Sequence, residues 1–305
     1  MHFFIVMTSK VFVTSGGLVS YMPFKKDQFV IDTWHGGGAY KYIGLDLYND
    51  FFYRTEVKWN AKRTSLFLSS CKKFSEVVER TLLIDTHRIL EIGMPRNDIL
   101  LSENTEKIRE RVKRKLGIDS KMRVILYAPT YRNAGANNQF LKAIPGEYSL
   151  DYNRILVALS NRFGGDWCFA FRYHMNVDEK ESGKLPEGVF NFSGYEDMQE
   201  LICTADIMIN DYSSSIWDFS LTGKPCFIFA RDIAKYKKER NLYTQIEEWP
   251  FPIAETNEEL EANILSFDEL EYANRIKKHH TDLGICETGK ATKIVGEKIY
   301  SICTG

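Results

Sequence analysis

Short apolar runs rich in β-branched and aromatic residues alternate with helical stretches along almost the whole chain, and this alternation restricts the fold more than any other property of the sequence. In the first part Val11-Phe12-Val13, Phe29-Val30-Ile31, Leu66-Phe67-Leu68 and Arg88 to Ile92 read as strands, with helices over Lys72 to Thr81 and Glu103 to Leu116. A second block opens with Arg123-Val124-Ile125-Leu126-Tyr127. It continues through a helix at Asp151 to Phe163, strands at Trp167 to Phe171 and Val189 to Phe192, and a helix at Asp197 to Cys203. Strand Asp206 to Asn210, helix Ser214 to Thr222, strand Pro225 to Phe229 and helices beyond Asn257 complete it. Strands separated by helices pair in parallel through right-handed crossovers, so the chain is an α/β protein with two parallel sheets flanked by helices. Gly117 and the polar Asp119-Ser120-Lys121 mark the expected boundary, giving domains 1–118 and 119–305 with a ligand between them and the last helix packing back on the first domain. Residues 133–149 read as a long loop, a candidate lid.

At 305 residues, 44% hydrophobic and 27% charged, the composition is that of a folded globular protein, and a net charge of -1 argues against generic nucleic-acid binding. The six cysteines lack the paired spacing of a zinc or thiol-redox motif and read as reduced core residues of a cytosolic protein. Met1 to Met7 is too short for a secretory signal, and no apolar run approaches a membrane span. The basic segments Lys107 to Lys115 and Tyr236 to Arg240 read first as solvated helix faces and second as peripheral membrane contacts.

The chemistry-bearing residues follow the strands. Asp211-Tyr212-Ser213-Ser214-Ser215 sits where the run Ile207-Met208-Ile209 hands over to an amphipathic helix, so unpaired N–H groups and a helix amino end favour an anion there. Asp211 reads equally as a helix cap or as a contact to a ligand hydroxyl. Thr130 and Arg132 lie just past another strand, where Pro129 ends the ladder, and a guanidinium at that point can hold phosphate bidentately. Arg172 and His174 are two apart at a third strand end, so they project to one face and converge on one anion. His35 precedes Gly36-Gly37-Gly38, whose backbone can approach a ligand closely. Asn97 and Asp98 follow the strand at Arg88 to Ile92 and serve as capping or ligand-contacting residues. No role falls to His87, His279 or His280.

Taken together, these motifs resemble the CDP-glycerol glycerophosphotransferases, the teichoic acid primases and polymerases and their relatives in capsule and surface-polysaccharide synthesis. The matching elements are Thr33-Trp34-His35-Gly36 with Lys41 and Gly44 to Asp46, Gly93-Met94-Pro95-Arg96-Asn97-Asp98, Ile125 to Arg132, and Arg172-Tyr173-His174. They continue with Asn210-Asp211-Tyr212-Ser213-Ser214, Lys224-Pro225, Asp282-Leu283-Gly284 and Gly289-Lys290-Ala291. The resemblance implies two Rossmann-like domains in a GT-B-like arrangement, and a peripheral enzyme on the cytoplasmic face of the cell membrane. It implies transfer of glycerol phosphate from CDP-glycerol to a lipid-linked or polysaccharide acceptor, with release of CMP; no cofactor is expected, and no metal is required, since no cluster of carboxylates at strand ends stands out as a magnesium site and cationic side chains can neutralise the charge. By the same resemblance His35 is the general base, while His174, Arg172, Ser213 and Ser214 hold the donor diphosphate; His35 and His174 are the catalytic candidates, His174 as an imidazolium that stabilises the leaving CMP, and Asp211, Thr130, Arg132, Gly36 and Asn97 are further substrate-binding candidates. The chain departs from the pattern at Gly37-Gly38-Ala39-Tyr40, where Thr-Pro-Leu is usual, at Met175, where Pro is usual, and in a shortened amino-terminal domain. Alternative readings are a ribitol-phosphate transferase, a nucleotide-sugar GT-B glycosyltransferase, and a truncated nucleotide-binding homologue without activity.

Overall fold

A computed structural model describes residues 2–16, 24–130, 150–172, 188–239 and 241–305. Ten strands and eleven helices are named in chain order among them. The helices are α1 (His2–Thr8), α2 (Phe51–Arg63), α3 (Lys72–Leu82), α4 (Thr105–Leu116), α5 (Tyr152–Phe163), α6 (Met198–Thr204), α7 (Ser215–Ser220), α8 (Ile233–Glu239), α9 (Asn257–Leu265), α10 (Glu269–Leu283) and α11 (Ala291–Thr304). The strands are β1 (Val11–Thr14), β2 (Phe29–Asp32), β3 (Leu66–Ser69), β4 (Ile89–Glu91), β5 (Arg123–Tyr127), β6 (Trp167–Phe171), β7 (Val189–Asn191), β8 (Ile207–Asn210), β9 (Cys226–Phe229) and β10 (Ile253–Ala254).

The chain forms two compact units. The first comprises Met1–Ser102, Lys237–Trp249 and Lys278–Gly305; the second comprises Glu103–Tyr236 and Pro250–Lys277. The first unit is built on a sheet of order β1-β2-β3-β4 and the second on one of order β10-β9-β8-β5-β6-β7, with every pairing parallel. Strands covered on both faces read as unbroken apolar runs. Trp167 to Phe171 is such a run, and all five of its residues are buried.

The break between the units falls at 102/103 rather than at the expected 118/119. The reason lies in α4, whose cations are committed to the second unit. Arg109 donates to Asp206 at 2.7 Å, both side chains being largely buried, and the buried Lys113 donates to the carbonyls of Ser120 and Met122 at 2.9 and 2.6 Å. Arg111 pairs with Glu200 at 2.5 Å. Arg109 and Lys113 therefore serve packing within the second unit, whereas Lys107, Arg111, Arg114 and Lys115 stay exposed on the helix.

The first unit is completed from the far end of the chain. Asp98 accepts from the backbone N–H groups of Ala291 at 3.1 Å and Thr292 at 2.6 Å, so its carboxylate caps the amino end of α11. Asn97 is fully buried, and its amide donates to Glu287 Oε1 at 3.0 Å. Glu287 Oε2 accepts from the N–H of Met94 at 2.9 Å. The Gly93 to Asp98 stretch thus fastens the carboxy-terminal segment to the first sheet, and Asn97 belongs to that fastening.

Candidate functional site

In the first unit, β2 delivers the chain to His35. Asp32, buried at the end of the strand, accepts from the N–H of Trp34 at 2.8 Å, and Trp34 takes a positive φ of 53°. A bulky residue in the left-handed region is strained and persists only where its surroundings fix it. Here the indole ring stacks on the imidazole of His35, with ring centroids 4.6 Å apart. The Gly38 N–H donates to Ser70 Oγ at 3.2 Å, and the Tyr40 carbonyl accepts from the N–H of Tyr243 at 2.9 Å, so the far side of the glycine turn is also held.

His35 Nδ1 lies 3.1 Å from the carbonyl oxygen of Ser15. A carbonyl can only accept, so Nδ1 carries the proton and Nε2 presents its lone pair. The imidazole pKa lies below its usual value, chiefly through burial of the ring's surroundings and further through the charges of Arg96 and Lys41, against an opposing contribution from the Ser15 bond. The side chain nevertheless keeps an exposed edge. A neutral imidazole of fixed tautomer on an exposed residue is equipped to take a proton at Nε2 at neutral pH. Ser15 was not singled out in the sequence, because a backbone carbonyl leaves no trace in residue identity.

In the second unit the strand order reverses between β8 and β5, and the loops leaving their carboxyl ends border the crevice where α/β sheets bind ligands. Thr130 from the loop after β5 and Asp211 from the loop after β8 meet there. Asp211, 2% exposed, accepts from Thr130 N–H at 2.8 Å, Thr130 Oγ1 at 2.6 Å and Tyr212 N–H at 2.6 Å. Buried at the strand end, it ties the two loops together.

Ser213 and Ser214 stand partly exposed at the start of α7, and Ser214 makes no side-chain cap bond. Ser213 Oγ lies 3.0 Å from Ser215 Oγ, which accepts from Asn210 Nδ2 at 2.8 Å, so the hydroxyls form a short chain rooted in the sheet.

Arg172 follows β6, with its backbone N–H bonded to the Tyr127 carbonyl at 2.9 Å. Its guanidinium Nη1 is buried with no hydrogen-bond partner among the described residues, and burial lowers its pKa against the counteracting charge of Asp197. A buried cation with an unmatched donor favours an anionic partner. Arg132 and His174 lie outside the described residues. Among the described residues, no group of three or more His, Cys, Asp or Glu side chains is placed to hold a metal ion.

Two parallel sheets, each with polar loops at its strand ends, define an α/β protein of two Rossmann-like units, the components of the GT-B-like class. The profile of the CDP-Glycerol:Poly(glycerophosphate) glycerophosphotransferase family matches residues 1–301, and the chain belongs to that family. Teichoic acid poly(glycerol phosphate) polymerases of Staphylococcus epidermidis and Bacillus spizizenii are each 27% identical to it, over 292 and 306 residues. The matches cover 92% and 96% of this chain; they span 40% of the first relative and 75% of the second. A solved structure of the wall teichoic acid polymerase TagF, in a histidine-to-asparagine variant, superposes with a TM-score of 0.80 at 25% identity, covering 96% of this chain and 72% of that one.

Proposed function

We propose that this chain transfers glycerol phosphate from CDP-glycerol to a hydroxyl of a lipid-linked or polysaccharide acceptor, releasing CMP, at the cytoplasmic face of the cell membrane. The acceptor oxygen forms a bond to the glycerol-bearing phosphorus as the bond from that phosphorus to the CMP oxygen breaks. His35 Nε2 takes the acceptor proton, a contribution of roughly 10²–10⁴-fold for general-base catalysis. Arg172, Ser213, Ser214 and Thr130 hold the diphosphate and stabilise charge on the departing CMP. His174 and Arg132 join them by the family resemblance, and Gly36 is a substrate contact by the same resemblance.

The observation that carries this reading is the bond between His35 Nδ1 and the Ser15 carbonyl, which makes Nε2 the basic nitrogen in a chain whose family is defined by CDP-glycerol chemistry. A TagF crystal soaked with CDPG is among the structural matches, at a TM-score of 0.79. The test follows CMP or UDP release from CDP-glycerol, CDP-ribitol and UDP-sugars, together with transfer of labelled glycerol phosphate. CDP-glycerol should turn over fastest, and His35→Gln should lose at least about a hundredfold in kcat. Because the folded pKa of His35 is depressed, kcat/KM should fall only as pH drops through a value below the usual imidazole range. Preference for CDP-ribitol, or undiminished transfer by His35→Gln, would refute the assignment.

A further inference from the structure

The loop that presents His35 runs against the preferences of its residues. Positive φ recurs along it, at Trp34 (53°), Gly38 (78°) and Ala39 (52°), and Trp34 and Ala39 are two of the three non-glycine residues in that region among the described residues. Such strain persists where the surroundings over-determine it. Gly36, Gly37, Gly38 and Ala39 offer no side chain larger than a methyl group with which to hold the turn. His35 is exposed while residues 36–40 are buried, so the loop is a buried support that turns one imidazole outward.

Trp34 and Asp32 secure the near side of this support. The far side ends on Tyr40, whose buried ring packs against Trp249, with centroids 4.8 Å apart, and lies parallel to the imidazole of His279 at 5.7 Å, with 5° between the planes. The Tyr40 hydroxyl lies 2.8 Å from His279 Nε2. His279 stands on α10, 239 residues further along the chain, yet belongs to the same compact unit. Beyond Tyr40 the backbone is pinned as well: Lys41 bridges to Leu242, and the Tyr42 N–H donates to the Asn241 carbonyl at 3.1 Å. A buried hydroxyl and a buried imidazole each need a partner, and an apolar pair would fill the space without that requirement. The bond therefore adds direction to the packing, and it acts on the residue next to Ala39. The sequence alone gives His279 no role; its place in the fold does.

We propose that Tyr40 and His279 are positioning residues for His35. Their hydrogen bond closes the far side of the loop, keeps the backbone from Gly36 to Ala39 on its left-handed course, and so keeps the Nδ1 proton of His35 on the Ser15 carbonyl, with Nε2 left to take the acceptor proton. The catalytic benefit rests on the transferase reading above, whereas the fixing of the imidazole does not.

The test combines side-chain nitrogen NMR of the full chain, labelled at histidine, with steady-state transfer from CDP-glycerol. Above the usual imidazole pKa, the His35 signals, assigned by their loss in His35→Gln, should show a proton on Nδ1 and a lone pair on Nε2. Tyr40→Phe keeps the ring and removes the hydroxyl; His279→Leu removes its partner. Each should move the His35 signals towards the averaged pattern of a free imidazole and lower kcat about tenfold, since misplacing a catalytic group slows chemistry steeply. The KM for CDP-glycerol should stay within about twofold, because the donor-holding residues lie in the second unit. His279→Gln, whose amide reaches the position of Nε2 and can bond the hydroxyl, should recover the single tautomer and most of kcat. Tyr40→Phe combined with His279→Leu should be no slower than the slower single variant, since both act through one bond. Thermal unfolding supplies the folded fraction to which kcat is referred. A lower melting temperature with an unchanged His35 spectrum and unchanged kcat per folded molecule would reduce the pair to packing and overturn the proposal. Losses that add in the double variant, or a glutamine variant no better than the leucine one, would overturn it too. A His35 tautomer that is fixed in wild type and loosened by Tyr40→Phe, in a chain that transfers no glycerol phosphate, upholds the positioning and refutes only the transferase reading.

Discussion

Replacing Asp211 with alanine removes three hydrogen bonds at once, those from Thr130 N–H, Thr130 Oγ1 and Tyr212 N–H, from a carboxylate that is 2% exposed. Hydrogen bonds to charged groups contribute about 1.5–3 kcal/mol each, but the exchange with water and partial relaxation make such losses less than additive. A destabilisation of about 3–5 kcal/mol is therefore expected. Asp211→Asn keeps a carbonyl oxygen able to accept some of these bonds and should cost only about 1–2 kcal/mol. Urea unfolding measures the global term, and amide exchange at Thr130 and Tyr212 measures the local one. In Asp211→Ala, protection at those two amides should fall by roughly a hundredfold or more, since about 1.4 kcal/mol corresponds to tenfold. Donor affinity should weaken in proportion to the loosening of the loop. If Asp211→Asn left unfolding and exchange unchanged yet abolished CDP-glycerol binding, Asp211 would be a ligand contact and the tie between the loops would be incidental.

Three further outcomes follow from the same structure. Arg172→Met should leave the melting temperature unchanged or raised, because it removes a half-buried cation whose Nη1 has no partner among the described residues, while donor affinity by calorimetry falls at least about tenfold. Asp98→Ala should cost about 1–2 kcal/mol in chemical unfolding, the usual loss for a helix cap, with protection lost first in α11. His279 is buried beside Tyr40, whose hydroxyl lies 2.8 Å from Nε2, and its pKa is pushed down to about 4. The unfolded chain therefore binds a proton there more readily than the folded one. Stability should be fully present above pH 6.5 and decline towards pH 4, by up to about 3 kcal/mol, and His279→Gln should flatten that part of the pH–stability curve.

The parallel strands were readable in the sequence because burial on both faces makes them continuous apolar runs bounded by polar turns. Trp167 to Phe171 appears with the same ends in the sequence reading and in the sheet. The two-residue β10 was not, since Ile253–Ala254 is too short to show a period. Helix α2 escaped for a different reason: Phe51, Phe52 and Trp59 stand on its outward side and erase the contrast that marks a surface helix. In the site, His35, Arg172 and the serines could be picked out because their side chains carry chemistry at strand ends. The Ser15 carbonyl could not, and the bonds from Thr130 to Asp211 join two loops far apart in sequence, which residue identity does not reveal. Likewise, the inclusion of Lys237–Trp249 in the first unit is a tertiary event with no local signature.

Because α11 closes onto Asp98, and Glu287 onto Met94 and Asn97, the first unit cannot reach its final packing during synthesis until Glu287 and α11 have left the ribosome. The second unit lies wholly upstream of residue 278 and can mature earlier. Nascent molecules thus form the tie between Thr130 and Asp211 before the first unit gains its complete support, and a chain cut before Glu287 lacks the bonds that hold Met94, Asn97 and Asp98 in the unit that began to be translated first.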